Sequence, residues 1–179
     1  MMNRKTYKPL PFPLLKGAPM IGIISDTHEN IPNILEAVKV FQKHKADLVI
    51  HLGDIIAPAT IRFFKGLNMK FIKGNCDGDL PNIIKKAQEI HGEYLGEFAV
   101  LDIKGKKIAA LHGISQPEID ALVKSQQYDY LLRGHNHRKQ DEKIGKTRII
   151  NPGAHYYQSE NTIVLLDVEK DQVEFVEVA

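Results

Sequence analysis

The chain has 179 residues, 43% of them hydrophobic and 26% charged, with 24 Lys and Arg against 22 Asp and Glu. A net charge of +2 with both signs interspersed carries no strong nucleic-acid signature, the longest apolar runs stay far below the roughly 20 residues of a membrane helix, and a single cysteine, Cys76, cannot close an internal disulfide. Such a chain is expected to form one cytoplasmic domain, long enough to bury about 70% of the surface its unfolded form exposes.

The opening stretch MMNRKTYKPLPFPLLKGAPM is basic and then apolar, but Pro9, Pro11 and Pro13 interrupt any signal-peptide core. Residues 1–19 are therefore expected to be an extended arm and residues 20–179 the domain. From Met20 the strand-like MIGIIS precedes Ile31, Ile34, Leu35, Val38 and Phe41 at helical spacing, and ADLVIHLG follows as a second strand. Asn30 is placed to cap the helix, with Pro32 in its opening turn where a missing N–H costs little. APATIRFFKGL reads as a helix and MKFIKG as a strand, extending a parallel sheet with right-handed crossovers. Leu80 to His91 reads as a further helix.

The second half changes character. EFAVLDI and KKIAALHG flank a Lys-Gly turn as a hairpin, QPEIDALVKSQQ is helical, and YDYLLRG and TRIINPG are strands. A closing hairpin turns near Lys170 and Asp171. Two sheets covered by helices accommodate this order better than one sheet does.

Polar residues collect at the ends of these strands, where open α/β sheets place their sites. Asp26 and His28 follow IGIIS, Asp54 follows LVIHLG, Asn75 follows FIKG, His112 follows IAAL, and His135 with His137 follow LLRG. Mixed imidazole, carboxylate and amide donors suit Mn²⁺, Fe, Zn²⁺, Ni²⁺ or Co²⁺ rather than an all-oxygen Ca²⁺ cage. Seven donors exceed what one ion with an open position can use, so two ions sharing a carboxylate, with Asp54 as the bridge, are the economical reading.

In order, DTH at 26–28, GD at 53–54, GNCD at 74–77, HG at 112–113 and GHNH at 134–137 resemble the five-part signature of the calcineurin-like metallophosphoesterases, and NPG at 151–153 is also typical of them. The chain is most similar to the small bacterial and archaeal phosphodiesterases of that family, whose retromer-subunit relatives share the fold. The resemblance implies an α/β fold, a four-layer αββα sandwich of two mixed sheets flanked by helices. It implies that Asp26, His28 and His137 hold one divalent ion, that Asn75, His112 and His135 hold another, with Mn²⁺ first among the candidates, and that Asp54 touches both. It implies hydrolysis of a small phosphodiester by a metal-bridging hydroxide, with Asp54, Asn75 and His112 in the catalytic group. A phosphomonoesterase or nucleotide pyrophosphatase would keep the same site, and a non-catalytic interaction module of the retromer type would keep the fold; the full ligand set favours the enzyme. No membrane partner is expected, and a homo-oligomer is compatible with the sequence.

Many relatives carry a histidine where Cys76 stands, which leaves the proton donor to the leaving group unassigned. Cys76 is expected to be a small buried residue near the metals, Asp77 either an orienting partner of a ligand histidine or a turn cap, and Asn136 a loop-fixing residue. His44, His51, His91 and His155 are expected to be structural or surface residues, and Arg133 and Arg138 to lie at the surface.

Overall fold

The computed structural model describes residues 10–11, 19–156 and 160–178. In chain order the elements are β1 (Leu10–Pro11), β2 (Met20–Ile24), α1 (Ile31–Lys43), β3 (Leu48–His51), a 3-10 helix (Pro58–Phe64), β4 (Met69–Ile72), α2 (Leu80–Glu89), β5 (Glu93–Gly96), β6 (Phe98–Ile103), β7 (Lys106–Leu111), α3 (Gln116–Lys124), β8 (Tyr130–Leu132), β9 (Lys139–Ile144), β10 (Thr147–Pro152), β11 (Thr162–Asp167) and β12 (Gln172–Glu177). The strands form two mixed six-stranded sheets, ordered β12-β11-β2-β3-β4-β5 and β1-β6-β7-β8-β10-β9.

The apolar runs of β2 and β3 are buried on both faces, as strands covered on each side must be. Ile21, Ile23, Leu48 and Ile50 point between the sheets, where they meet Leu101, Ile108, Leu132 and Ile150 of the second sheet. Ile24, Val49, Met69 and Phe71 point outward and pack under Ile34 and Phe41 of α1 and Ile83 of α2. On the far side Ala109, Leu131 and Ile149 meet Ile119 and Val123 of α3. The order is therefore helices, sheet, sheet, helix: the expected four-layer sandwich. At Gly22 α1 approaches the sheet closely, since a Cβ there would lie 2.5 Å from the Phe41 ring. Removing that ring by Phe41→Ala would cost about 3–5 kcal/mol.

Local signals explain most of the boundaries. Asn30 Oδ1 accepts the N–H of Asn33 at 3.3 Å, capping α1. The turn between β6 and β7 places Lys104 and Gly105 both at positive φ, as a two-residue hairpin loop of the primed type requires. Two features differ from the sequence reading. The helix expected over APATIRFFKGL is a 3-10 helix, Pro58–Phe64. β5 and β9 were not predicted, because both are edge strands without an apolar alternation, and β9 is charged and largely exposed. Of the arm expected over 1–19, all but residues 10, 11 and 19 lie outside the described residues; β1 pairs in parallel with β6, Leu10 opposite Leu101. No helix among the described residues is long and apolar enough to cross a membrane.

Candidate metal centre

Five loops meet at one end of the two stacked sheets. They follow β2, β3 and β4 in one sheet and β7 and β8 in the other. Asp26, His28, Asp54, His135 and His137 all have φ between 42° and 71°, the left-handed region that costs a non-glycine residue of order 1–3 kcal/mol and persists only where the surroundings over-determine it.

Hydrogen bonds supply that constraint. The Asp77 carboxylate accepts backbone N–H groups from Gly74 at 2.7 Å, Asp54 at 3.1 Å, and Ile55 and Ile56 at 2.8 Å each. It thereby clamps the β3 and β4 loops together. Asp26 N–H donates to Gly53 O at 3.0 Å and His28 N–H to Asp54 O at 3.1 Å. His135 N–H donates to Asp26 Oδ2 at 3.0 Å, which joins the two sheets through the site. Asn136 Oδ1 receives the Asn151 amide at 2.8 Å and the Arg138 N–H at 3.2 Å, closing its own loop. Gly74 and Gly134 are required by proximity: a Cβ would fall 2.1 Å from Asp54 Oδ1 in one case and 2.0 Å from Ser25 Oγ in the other.

The donor atoms converge. His137 Nε2 lies 3.3 Å from Asp26 Oδ1, and Asp54 Oδ2 lies 3.6 Å from His28 Nε2 and 3.5 Å from His112 Nε2. Asn75 Oδ1 is 3.0 Å from both His112 Nε2 and His135 Nδ1. Single donor atoms of Asp26, His28 and His137 all lie within 4.8 Å of one another, as do those of Asp26, Asp54 and His112. All seven residues singled out in the sequence thus stand around one centre. Asp26 Oδ1 and His28 Nε2 are buried with no hydrogen-bond partner among the described residues, and orphaned atoms of this kind cost about 1–3 kcal/mol each. A cation between them would satisfy both, so the donor set fits divalent metal.

The electrostatics agree. Burial lowers the pKa of His28 and of His135, favouring the neutral imidazoles that metal ligation needs. At His112 burial pulls down, but the Asp54 hydrogen bond and the charges of Asp26 and Asp54 outweigh it and raise the pKa. Burial also opposes ionisation of Asp54, yet the hydrogen bonds from His112 and the Cys76 N–H hold its carboxyl far below the usual range. The pocket therefore demands positive charge. His112 Nδ1 sits 2.8 Å from Leu52 O; a carbonyl only accepts, so Nδ1 carries a proton and Nε2 is the nitrogen turned toward the centre, beside Asp54 Oδ2 and Asn75 Oδ1.

Four neighbours complete the picture. Cys76 is exposed rather than buried as expected, because the β4 loop turns it outward; partial burial and the Asp54 carboxylate push its thiol up to about 11. Arg133 is not at the surface: it is 4% exposed, with its guanidinium held by Gln116 Oε1 at 3.1 Å and Gly113 O at 3.4 Å. His51 accepts the Gly53 N–H at Nδ1 and donates from Nε2 to Thr27 Oγ1 at 3.0 Å, a structural role beneath the ligand loops. Tyr156 was missed; its ring lies 4.6 Å from that of His28 and 6.0 Å from that of His137. The NPG turn brings it there, with His155 N–H bonded to Asp26 O at 3.0 Å, but no periodicity in the sequence could have signalled the contact.

A family profile described as the calcineurin-like phosphoesterase superfamily domain matches residues 20–171. The chain is 34% identical over 157 residues to phosphodiesterase MJ0936 of Methanocaldococcus jannaschii, covering 85% of this chain and 95% of that protein. A solved structure of a novel archaeal phosphodiesterase superposes with a TM-score of 0.83 at 31% identity, over 88% of this chain and 98% of that one. Wild-type Vps29 from Entamoeba histolytica, solved with Zn²⁺, superposes with a TM-score of 0.61 at 17% identity over 88% of this chain and 98% of its own, a likeness of fold alone.

Proposed function

The chain belongs to the calcineurin-like phosphoesterase superfamily, and from that premise we propose that it hydrolyses a small phosphodiester in the cytoplasm with two divalent ions, Mn²⁺ foremost, bound at this centre. It is a phosphoester hydrolase, and its archaeal relative is named a phosphodiesterase; the converging donor atoms support a metal at this site. Asp26, His28 and His137 would hold one ion, Asn75, His112 and His135 the other, and Asp54 would be shared by both. The observation that supports Asp54 as the shared ligand is the position of its Oδ2, 3.6 Å from His28 Nε2 and 3.5 Å from His112 Nε2.

Divalent ions held there would acidify a water and neutralise charge on the phosphoryl oxygens. The protein supplies the rest. Asn75 directs Oδ1 toward His112 and His135, leaving its amide N–H₂ at the exposed rim, 3.2 Å from Cys76 Sγ, where it can donate to a phosphoryl oxygen. Asp77 and Asn136 hold the ligand loops in their left-handed conformations.

Charge supports diesters over monoesters. A monoester brings about two negative charges at neutral pH and calls for extra cations. Lys73, two residues before Asn75, is already paired with Glu97 at 2.6 Å, and Arg133 is buried under Gly113. The Cys76 thiol is a weaker acid than imidazolium, so good leaving groups, such as aryl oxides, are favoured. The test is the rate of an aryl diester against the matching monoester after chelation and reconstitution with different metals. Faster hydrolysis of the monoester would reverse the substrate reading.

A further inference from the structure

A groove of about 590 Å³ begins at Asn75 and His112 and continues past Gly113 to Leu95, Phe98 and Ile114. Its volume is that of a small-molecule site, about 300–1,000 Å³. Ile114 is 59% exposed two residues beyond His112, in the loop between β7 and α3. A lone exposed isoleucine is ordinary. This one is different in its company: it shares one groove with two proposed metal ligands and with the half-buried Leu95 and Phe98.

The groove's charge restricts what can enter. Lys73 is paired with Glu97, and Glu118 adds a carboxylate at the far wall, so these side chains present no surplus of positive charge. A second phosphate, as in a polyphosphate chain or an oligonucleotide backbone, would meet carboxylates there. A neutral apolar group would meet Leu95, Phe98 and Ile114.

We propose that this groove receives one ester group of the phosphodiester and selects a flat, apolar one, aryl in the simplest case, with Ile114 as a specificity-determining residue. The phosphoryl group then sits at Asn75 and His112 while the ring lies over Ile114. The inference rests on the phosphodiesterase reading for its ligand class, but its test reads binding rather than turnover.

The full chain, loaded with diamagnetic Zn²⁺ and labelled at isoleucine methyls, is titrated by NMR with inorganic phosphate and separately with phenyl phosphate. Phenyl phosphate is expected to bind about tenfold more tightly, the order expected from burying part of a ring, and to move the Ile114 methyl by ring current where phosphate leaves it in place. In Ile114→Ser, an exposed position that tolerates the change, the tenfold advantage is expected to fall below about threefold. Equal affinities of the wild type for the two probes, an unmoved Ile114 methyl at saturation, or an advantage that survives Ile114→Ser would each overturn the proposal. Failure of the phosphodiesterase reading would show separately, as wild-type protein that hydrolyses no diester with any metal.

Discussion

Asp54 Oδ2 lies 3.5 Å from His112 Nε2, and both residues are only 2% exposed. The second oxygen of the same carboxylate accepts the Cys76 N–H at 2.8 Å. One oxygen is thus spent on the backbone and the other points into the centre. Asp54→Asn keeps the shape and the backbone bond but removes the charge shared by both ligand clusters. Elemental analysis of the purified variant is expected to find fewer than one ion per chain, with activity down more than the 10–100-fold typical of residues that merely support ligands. Two ions retained per chain would remove Asp54 from the bridge.

His137 approaches Asp26 alone among the two carboxylates, at 3.3 Å, and is less buried than His112. His137→Ala is expected to lose one ion and keep the other, with turnover falling about as far as in the Asp54 variant. Metal content measured beside activity separates the two variants; loss of both ions in His137→Ala would show that the clusters do not bind independently.

Asp77 is 4% exposed and receives four backbone N–H groups. Asp77→Ala leaves those donors unpaired and is expected to destabilise the metal-free protein by at least about 3 kcal/mol in chemical denaturation, since bonds to charged acceptors contribute about 1.5–3 kcal/mol each. A loss under 1 kcal/mol would mean that water replaces the carboxylate at little cost.

The candidate ligand motifs and the two-sheet order were legible because each of the five motifs follows its own apolar strand, and strand ends are where a parallel sheet gathers polar side chains. Asp26, Asp54 and His135 could be read that way. Tyr156 and Arg133 could not: their places depend on how the NPG turn returns to Asp26 and how α3 lies on the second sheet, and neither path leaves a periodic trace. β9 escaped for a related reason. An edge strand facing water needs no apolar face, so KQDEKI reads as loop. Cys76 was misplaced because small thiols are usually buried, whereas here Asp54 and Asp77 take up the interior of its loop.

His155 is 1% exposed, and neither ring nitrogen has a hydrogen-bond partner among the described residues; burial pushes its pKa from the usual 6.5 to about 4. The unfolded chain therefore takes up a proton that the folded chain refuses between those values. Stability of the metal-free protein is complete above about pH 6.5 and falls as pH drops toward 4, by up to about 3 kcal/mol from this residue. His51, also held low by burial, acts in the same direction. His155→Phe is expected to flatten the dependence of denaturation midpoint on pH between 6.5 and 4.5. An unchanged slope would mean that the imidazole finds a proton partner in the folded state.

The most direct test is a titration of chelated wild-type protein with Mn²⁺, counting bound ions per chain while following hydrolysis of bis(p-nitrophenyl) phosphate and of p-nitrophenyl phosphate. Expected is no activity without metal, full activity only as the second ion binds, and a higher kcat/KM for the diester. Full activity in the chelated protein, or saturation of activity at one ion per chain, would contradict a centre built from two ions bridged by Asp54.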